Sequence, residues 1–92
     1  MSKKNIKMRR VQFEYRNDEA SSVFIVGDFN SWDPKKHEMK RNNGGTYLKT
    51  LMLPHGSYQY KFLVDGKWKN DPLNKATSVN CFRQLNNVIY AH

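Results

Sequence analysis

The sequence has a single cysteine, Cys81, so no intramolecular disulfide can form, and a small domain that folds without one suits a reducing compartment. Long hydrophobic runs are missing as well. The most apolar stretch, Val23-Phe24-Ile25-Val26, is far too short to span a bilayer, and the basic N-terminal end has no apolar segment of the kind a signal peptide needs. The chain therefore reads as soluble and cytoplasmic. Acidic residues are scarce, eight against sixteen Lys and Arg, for a formal net charge of +8. Lys3, Lys4, Lys7, Arg9 and Arg10 all precede the first acid, Glu14, so the remaining eleven basic residues exceed the acids by only three over residues 11–92. The basicity belongs mainly to one end, and a solvated tail explains it better than a nucleic-acid surface does.

Helical periodicity is absent too. No window repeats apolar residues at three-four spacing, while β-branched and aromatic residues cluster in short runs split by Gly, Asn, Asp and Pro. Ninety-two residues leave no room for a second domain, and residues 1–9 read as a basic tail or the start of the first strand, followed by one domain over residues 10–92. The first strand is predicted at Lys7 to Arg16, with Val11, Phe13 and Tyr15 inward, and a second at Ser22 to Gly27. Asp28-Phe29-Asn30-Ser31-Trp32-Asp33-Pro34 then forms a loop that lifts Trp32 out of any regular strand. A short strand near His37 to Arg41 and a longer one at Thr46 to Leu53 flank the turn Asn42-Asn43-Gly44-Gly45. In the strand Ser57 to Val64, Tyr58, Tyr60, Phe62 and Val64 share the inward face, and Gln59, Lys61 and Leu63 the outward one. Asp65-Gly66 marks a two-residue type I′ hairpin just before Trp68. Residues 70–85 show no alternation, and Asn86 to Tyr90 is predicted as a closing strand with Val88 and Tyr90 inward. About seven short strands of this kind indicate an all-β, antiparallel β-sandwich of immunoglobulin-like build, although a small barrel would leave a similar pattern.

The usual signs of catalysis are lacking. His37, His55 and His92 lie far apart without ligand spacing, and there is no Gly-rich phosphate loop or nucleophile elbow. Asp28 and Asp33 suit the capping of backbone amides in a turn better than a hydrolytic pair. No enzyme activity, metal or cofactor is expected. What is present is two tryptophans beside tight turns, one outward strand lysine and amide-rich loops, and these are groups that hold sugars. A pyranose ring exposes a patch of C–H groups that the electron-rich face of an indole attracts, while both surfaces shed water. Trp32 and Trp68 suit that role, since the inward positions already have Phe13, Tyr15, Tyr58, Tyr60 and Phe62 to fill them. Lys61 and one of Asn86 or Asn87 suit sugar hydroxyls, the ordinary alternatives being a solubilising charge and local turn closure. Phe82 stands in a polar loop either as a core anchor or as an apolar finger against the ligand.

Gly27-Asp28-Phe29-Asn30-Ser31-Trp32, then Gly56-Ser57-Tyr58-Gln59-Tyr60-Lys61-Phe62-Leu63-Val64-Asp65-Gly66-Lys67-Trp68, then Asp71-Pro72 and Asn86-Asn87-Val88-Ile89 together resemble a known family. It is the glycogen-binding domain of the AMP-activated protein kinase β subunit, with the related family 48 carbohydrate-binding modules and isoamylase N-terminal-like domains. The resemblance runs from about Arg10 to Ile89. It implies an early-set immunoglobulin-like sandwich that binds α-1,4-linked glucan in a shallow groove. It also implies that Trp32 and Trp68 stack on glucose rings, that Lys61 and Asn86 bind hydroxyls, and that Phe82 and Gln84 stand near a leucine and a threonine of the family's last loop. Arg83 replaces a small residue between those two, and the loop is one residue longer than in the kinase module. The expected partner is an α-glucan or maltooligosaccharide, with a glucan-metabolising enzyme or kinase beside it and neither membrane nor nucleic acid. The rival reading is a protein-interaction module whose sugar site is weak or lost.

Overall fold

The computed structural model describes residues 7–80 and 82–92; Cys81 and the first six residues of the basic end lie outside it. The first strand, β1, spans Met8–Arg16 and buries Val11 and Phe13, with Tyr15 packed at the margin of the core, as the alternation of its sequence requires. It pairs antiparallel with β4, Thr46–Pro54, which in turn pairs with the two-residue β3, Lys40–Arg41. The expected strand near His37 is shorter than its sequence suggested: a single bridge, Phe24 to Glu38, precedes β3.

The second sheet is built around β5, Gly56–Val64. One edge of β5 takes β2, Val23–Gly27. The other is shared by β8, Leu85–Ala91, along Gly56–Tyr60, and β6, Lys67–Lys69, along Phe62–Val64. A further strand, β7, Thr77–Val79, closes the sheet beyond β8. The described residues thus form eight strands in two antiparallel sheets, a β-sandwich. Phe13 meets Tyr60 edge-on at 5.1 Å between ring centroids, and Tyr15 meets Phe62 at 5.0 Å, so aromatic rings from both sheets interlock in the core.

Asp65-Gly66 makes the expected turn between β5 and β6, with φ of 50° and 83°. The Asp65 carboxylate also accepts hydrogen bonds from the Ser21 and Ser22 amides at 2.9 and 2.8 Å, which ties this hairpin to the start of β2.

The expected facing of β8 is corrected. Tyr90 is 63% exposed, Val88 lies on the outer face with it, and Asn87, Ile89 and Ala91 are the residues turned inward. Residues opposite one another in an antiparallel pair share a face, and the register sets Ile89 against Tyr58 and Asn87 against the buried Tyr60. An asparagine is tolerated inside because both ends of its amide are hydrogen-bonded. Asn87 Oδ1 accepts from the Asp71 amide at 2.6 Å, and its Nδ2 donates to the Asn74 carbonyl at 2.8 Å. The buried Tyr60 hydroxyl joins the same network, donating to Asp71 Oδ2 at 2.6 Å; burial, and then that hydrogen bond, push its pKa upward. These bonds anchor residues 70–76, which contain no regular element, against β5 and β8.

Candidate functional site

Where β2 ends, the chain turns sharply away from the sheet. Gly27 approaches β5 so closely that a Cβ there would lie 2.4 Å from the Gln59 carbonyl oxygen and 2.8 Å from Tyr60 Cβ, which is why no side chain fits. A short 3-10 turn, Asp28–Asn30, follows. Asn30 is buried and holds the turn from inside: its Oδ1 accepts from the Gly27 amide at 3.0 Å, and its Nδ2 donates to the Ile25 carbonyl and to His37 Nδ1, each at 3.0 Å. Asp28 holds it from outside. With β2 gone, the Gln59 amide has Asp28 Oδ2 as its acceptor at 2.7 Å, and Asp28 Oδ1 accepts from the indole Nε1 of Trp32 at 2.9 Å.

Ser31 and Trp32 are both left-handed, with φ of 56° and 57°. A bulky residue in that region costs about 1–3 kcal/mol and persists only where its surroundings dictate it. Here they do, since the Trp32 amide donates to the Gly27 carbonyl at 2.9 Å while the Asp28 carboxylate grips the ring. The result is an indole set rigidly on the outer face of the sheet.

Trp68 reaches the same face from β6, where it lies opposite Leu63; it is 49% exposed. The two indole centroids are 6.4 Å apart with planes at 60°, forming a bent aromatic platform. Neither ring belongs to the core. Around it lies an open depression of about 490 Å³ in which all six residues singled out from the sequence meet: Trp32, Lys61, Trp68, Phe82, Gln84 and Asn86. Asp28, Gln59 and Asn80 complete its lining. Lys61 rises from β5 on the outward face, as its position in the alternation requires. Asn86 Nδ2 donates to Gln59 Oε1 at 2.9 Å, which fixes that amide's orientation and leaves its carbonyl oxygen without a protein partner among the described residues.

Phe82 is 78% exposed and lies on the rim, so it is no core anchor. Its loop is shaped by Asn80, whose Oδ1 accepts from the Phe82 and Gln84 amides at 2.8 and 3.0 Å, with Arg83 left-handed at φ 62°. The sequence reading missed the work of Asn80 and Asn30, and it assigned Asp28 to local capping when one of its bonds crosses to β5. No group of three or more His, Cys, Asp or Glu capable of holding a metal occurs among the described residues.

Two indoles on the open face of a β-sheet, with amides and one lysine around them, present apolar faces for sugar C–H groups and donors for hydroxyls in one place. That is the build of a non-catalytic carbohydrate-binding module. The sequence pattern of the family described as the glycogen recognition site of AMP-activated protein kinase matches residues 9–92, and the chain belongs to that family. It is similar to protein FLOURY ENDOSPERM 6, chloroplastic, of Oryza sativa subsp. japonica, 40% identical over 73 residues that make up 79% of this chain and 13% of the rice protein. It is also similar to the 5'-AMP-activated protein kinase subunit beta-2 of Mus musculus, 38% identical over 71 residues, 77% of this chain and 25% of the subunit. Protein PTST homolog 2, chloroplastic, of Arabidopsis thaliana is 43% identical over 54 residues, 59% of this chain and 10% of that protein. The chain thus spans a quarter or less of the length of these relatives.

Proposed function

We propose that residues 10–92 bind α-1,4-linked glucan, with glucose rings stacked on Trp32 and Trp68, and that they direct the protein containing them, or a bound partner, to glycogen or starch-like chains. The observation that carries this reading is the meeting of the two indoles with Lys61, Phe82, Gln84 and Asn86 around one open depression. An α-1,4-linked chain curves, so successive rings tilt against one another, whereas a β-1,4-linked chain is a flat ribbon; planes at 60° suit the curved chain. Lys61 and the Asn86 amide donate to or accept from hydroxyls and set the direction of the chain, and Phe82 closes over it from the rim. With two stacked rings and a few exposed hydrogen bonds, affinity falls in the range of about micromolar to millimolar. The name of the kinase subunit suggests a kinase as the partner, and a glucan-binding module equally suits a glucan-metabolising enzyme beside it. The single cysteine supports a reducing compartment, the cytoplasm first.

The test is a titration with maltoheptaose followed by tryptophan fluorescence, with cellohexaose as the β-linked control. A saturable change with the α-glucan alone is the expected result. Silence up to millimolar ligand, together with failure to co-sediment with glycogen, refutes the reading in favour of a protein-interaction module.

A further inference from the structure

The outer face of the five-stranded sheet carries a second depression, of about 440 Å³. It shares Asp28 and Gln59 with the first, so the two are continuous along β5. Its remaining polar lining is Ser57, Thr77 and Ser78, and Tyr90, 63% exposed, stands with them. The register puts most of the group on one face, with Tyr90 opposite Ser57 and Ser78 opposite Asn86, while Thr77, opposite the inward Asn87, borders the depression from the exposed edge strand β7. From Leu63, which faces Trp68, to Ser57, which faces Tyr90, is a run of about 20 Å along the strand. That is long enough for several sugar units.

The chemistry of this stretch narrows its ligand. The lining includes no lysine, arginine or histidine, which disfavours an anion. Its one carboxylate, Asp28, is already engaged through both oxygens, by the Trp32 indole and the backbone N–H of Gln59, which leaves the Gln59 side-chain amide apart and disfavours a cation. What remains is a row of hydroxyls, the Gln59 amide and one accessible phenol ring, suited to a neutral polyhydroxylated ligand. We propose that a glucan chain leaving the indole platform continues over Gln59 and rests on Tyr90 between Ser57, Thr77 and Ser78, which makes the module selective for longer chains. This inference rests on the function proposed above.

The experiment is calorimetric titration of the wild type, Tyr90→Ala and Tyr90→Phe with maltotetraose and with a maltodextrin of ten units. Comparing variants at one length removes the statistical advantage that a longer chain has in every variant. The expected result is that Tyr90→Ala weakens the ten-unit chain by about fivefold to tenfold and leaves maltotetraose unchanged, while Tyr90→Phe retains the binding of both. Equal affinity of Tyr90→Ala and wild type for the long chain overturns the second subsite, as does equal weakening for both lengths. A wild type that binds neither ligand overturns the parent reading, and this one with it.

Discussion

Replacing Trp68 by alanine removes half of the aromatic platform at a position the core does not use. Trp68 is 49% exposed on β6 and packs outside the core cluster. A tryptophan of about 250 Å² that is half exposed offers a stacked sugar about 60 Å² of indole face, matched by a similar area of the sugar. At about 25 cal/mol per Å² this is about 3 kcal/mol, lowered to about 2 kcal/mol by the freedom that ring and ligand lose on binding. The expected consequence is a dissociation constant for maltoheptaose about 30-fold higher than that of the wild type. Calorimetry reads it directly, and the fluorescence of the remaining Trp32 reads it independently. Thermal unfolding of the variant should move little, because an exposed side chain outside the core adds little to stability. An unchanged dissociation constant refutes the stacking argument; a collapse of the unfolding temperature refutes the view that the platform is separate from the core.

Asp28→Ala removes the acceptors of both the Trp32 indole and the Gln59 amide, so stability should fall by about 1–2 kcal/mol and glucan affinity should fall with it, Asp28→Asn recovering part of each. Gly27→Ala forces a Cβ against the Gln59 carbonyl and should lower stability by about 1–3 kcal/mol, read as a lower unfolding temperature. His37 accepts from Asn30 Nδ2 only while its ring is neutral, and burial first, then Lys49 and Lys36, hold its pKa below 6.5 against the opposing pull of Asp33. The unfolded chain therefore takes up this proton first as pH falls, so stability should be full above pH 6.5, decline as pH drops towards the lower folded value and then level off, a slope that His37→Gln should abolish in unfolding scans.

Much of the platform was legible in local sequence. The strand alternation of Val11, Phe13 and Tyr15 and of Tyr58, Tyr60 and Phe62 marks the inner faces, and Asp65-Gly66 specifies its turn through backbone conformation alone. Two tryptophans beside tight turns, with the core already supplied with rings, pointed outward, and outward is where they lie. Less was legible in β7 and β8. Thr77–Val79 buries none of its residues fully, so no apolar alternation betrays it as a strand. The facing of Asn86 to Tyr90 was misread because hydrophobicity suggested Val88 and Tyr90 for the core, while pairing with β5 turned Asn87 and Ala91 inward.

The sequence by itself determined what is set by neighbours along the chain: an all-β domain, its principal strands and turns, and an aromatic, amide-rich chemistry on its outward positions. Only the tertiary structure decided which distant residues share a surface. Trp32, Trp68 and Phe82 come from three separate loops or strands, and their convergence depends on the register of β2, β6 and β8 against β5. Asp28 holds Trp32 because β2 ends opposite Tyr60 and leaves the Gln59 amide to be satisfied, and that opening in a hydrogen-bonded ladder exists only once two strands have paired.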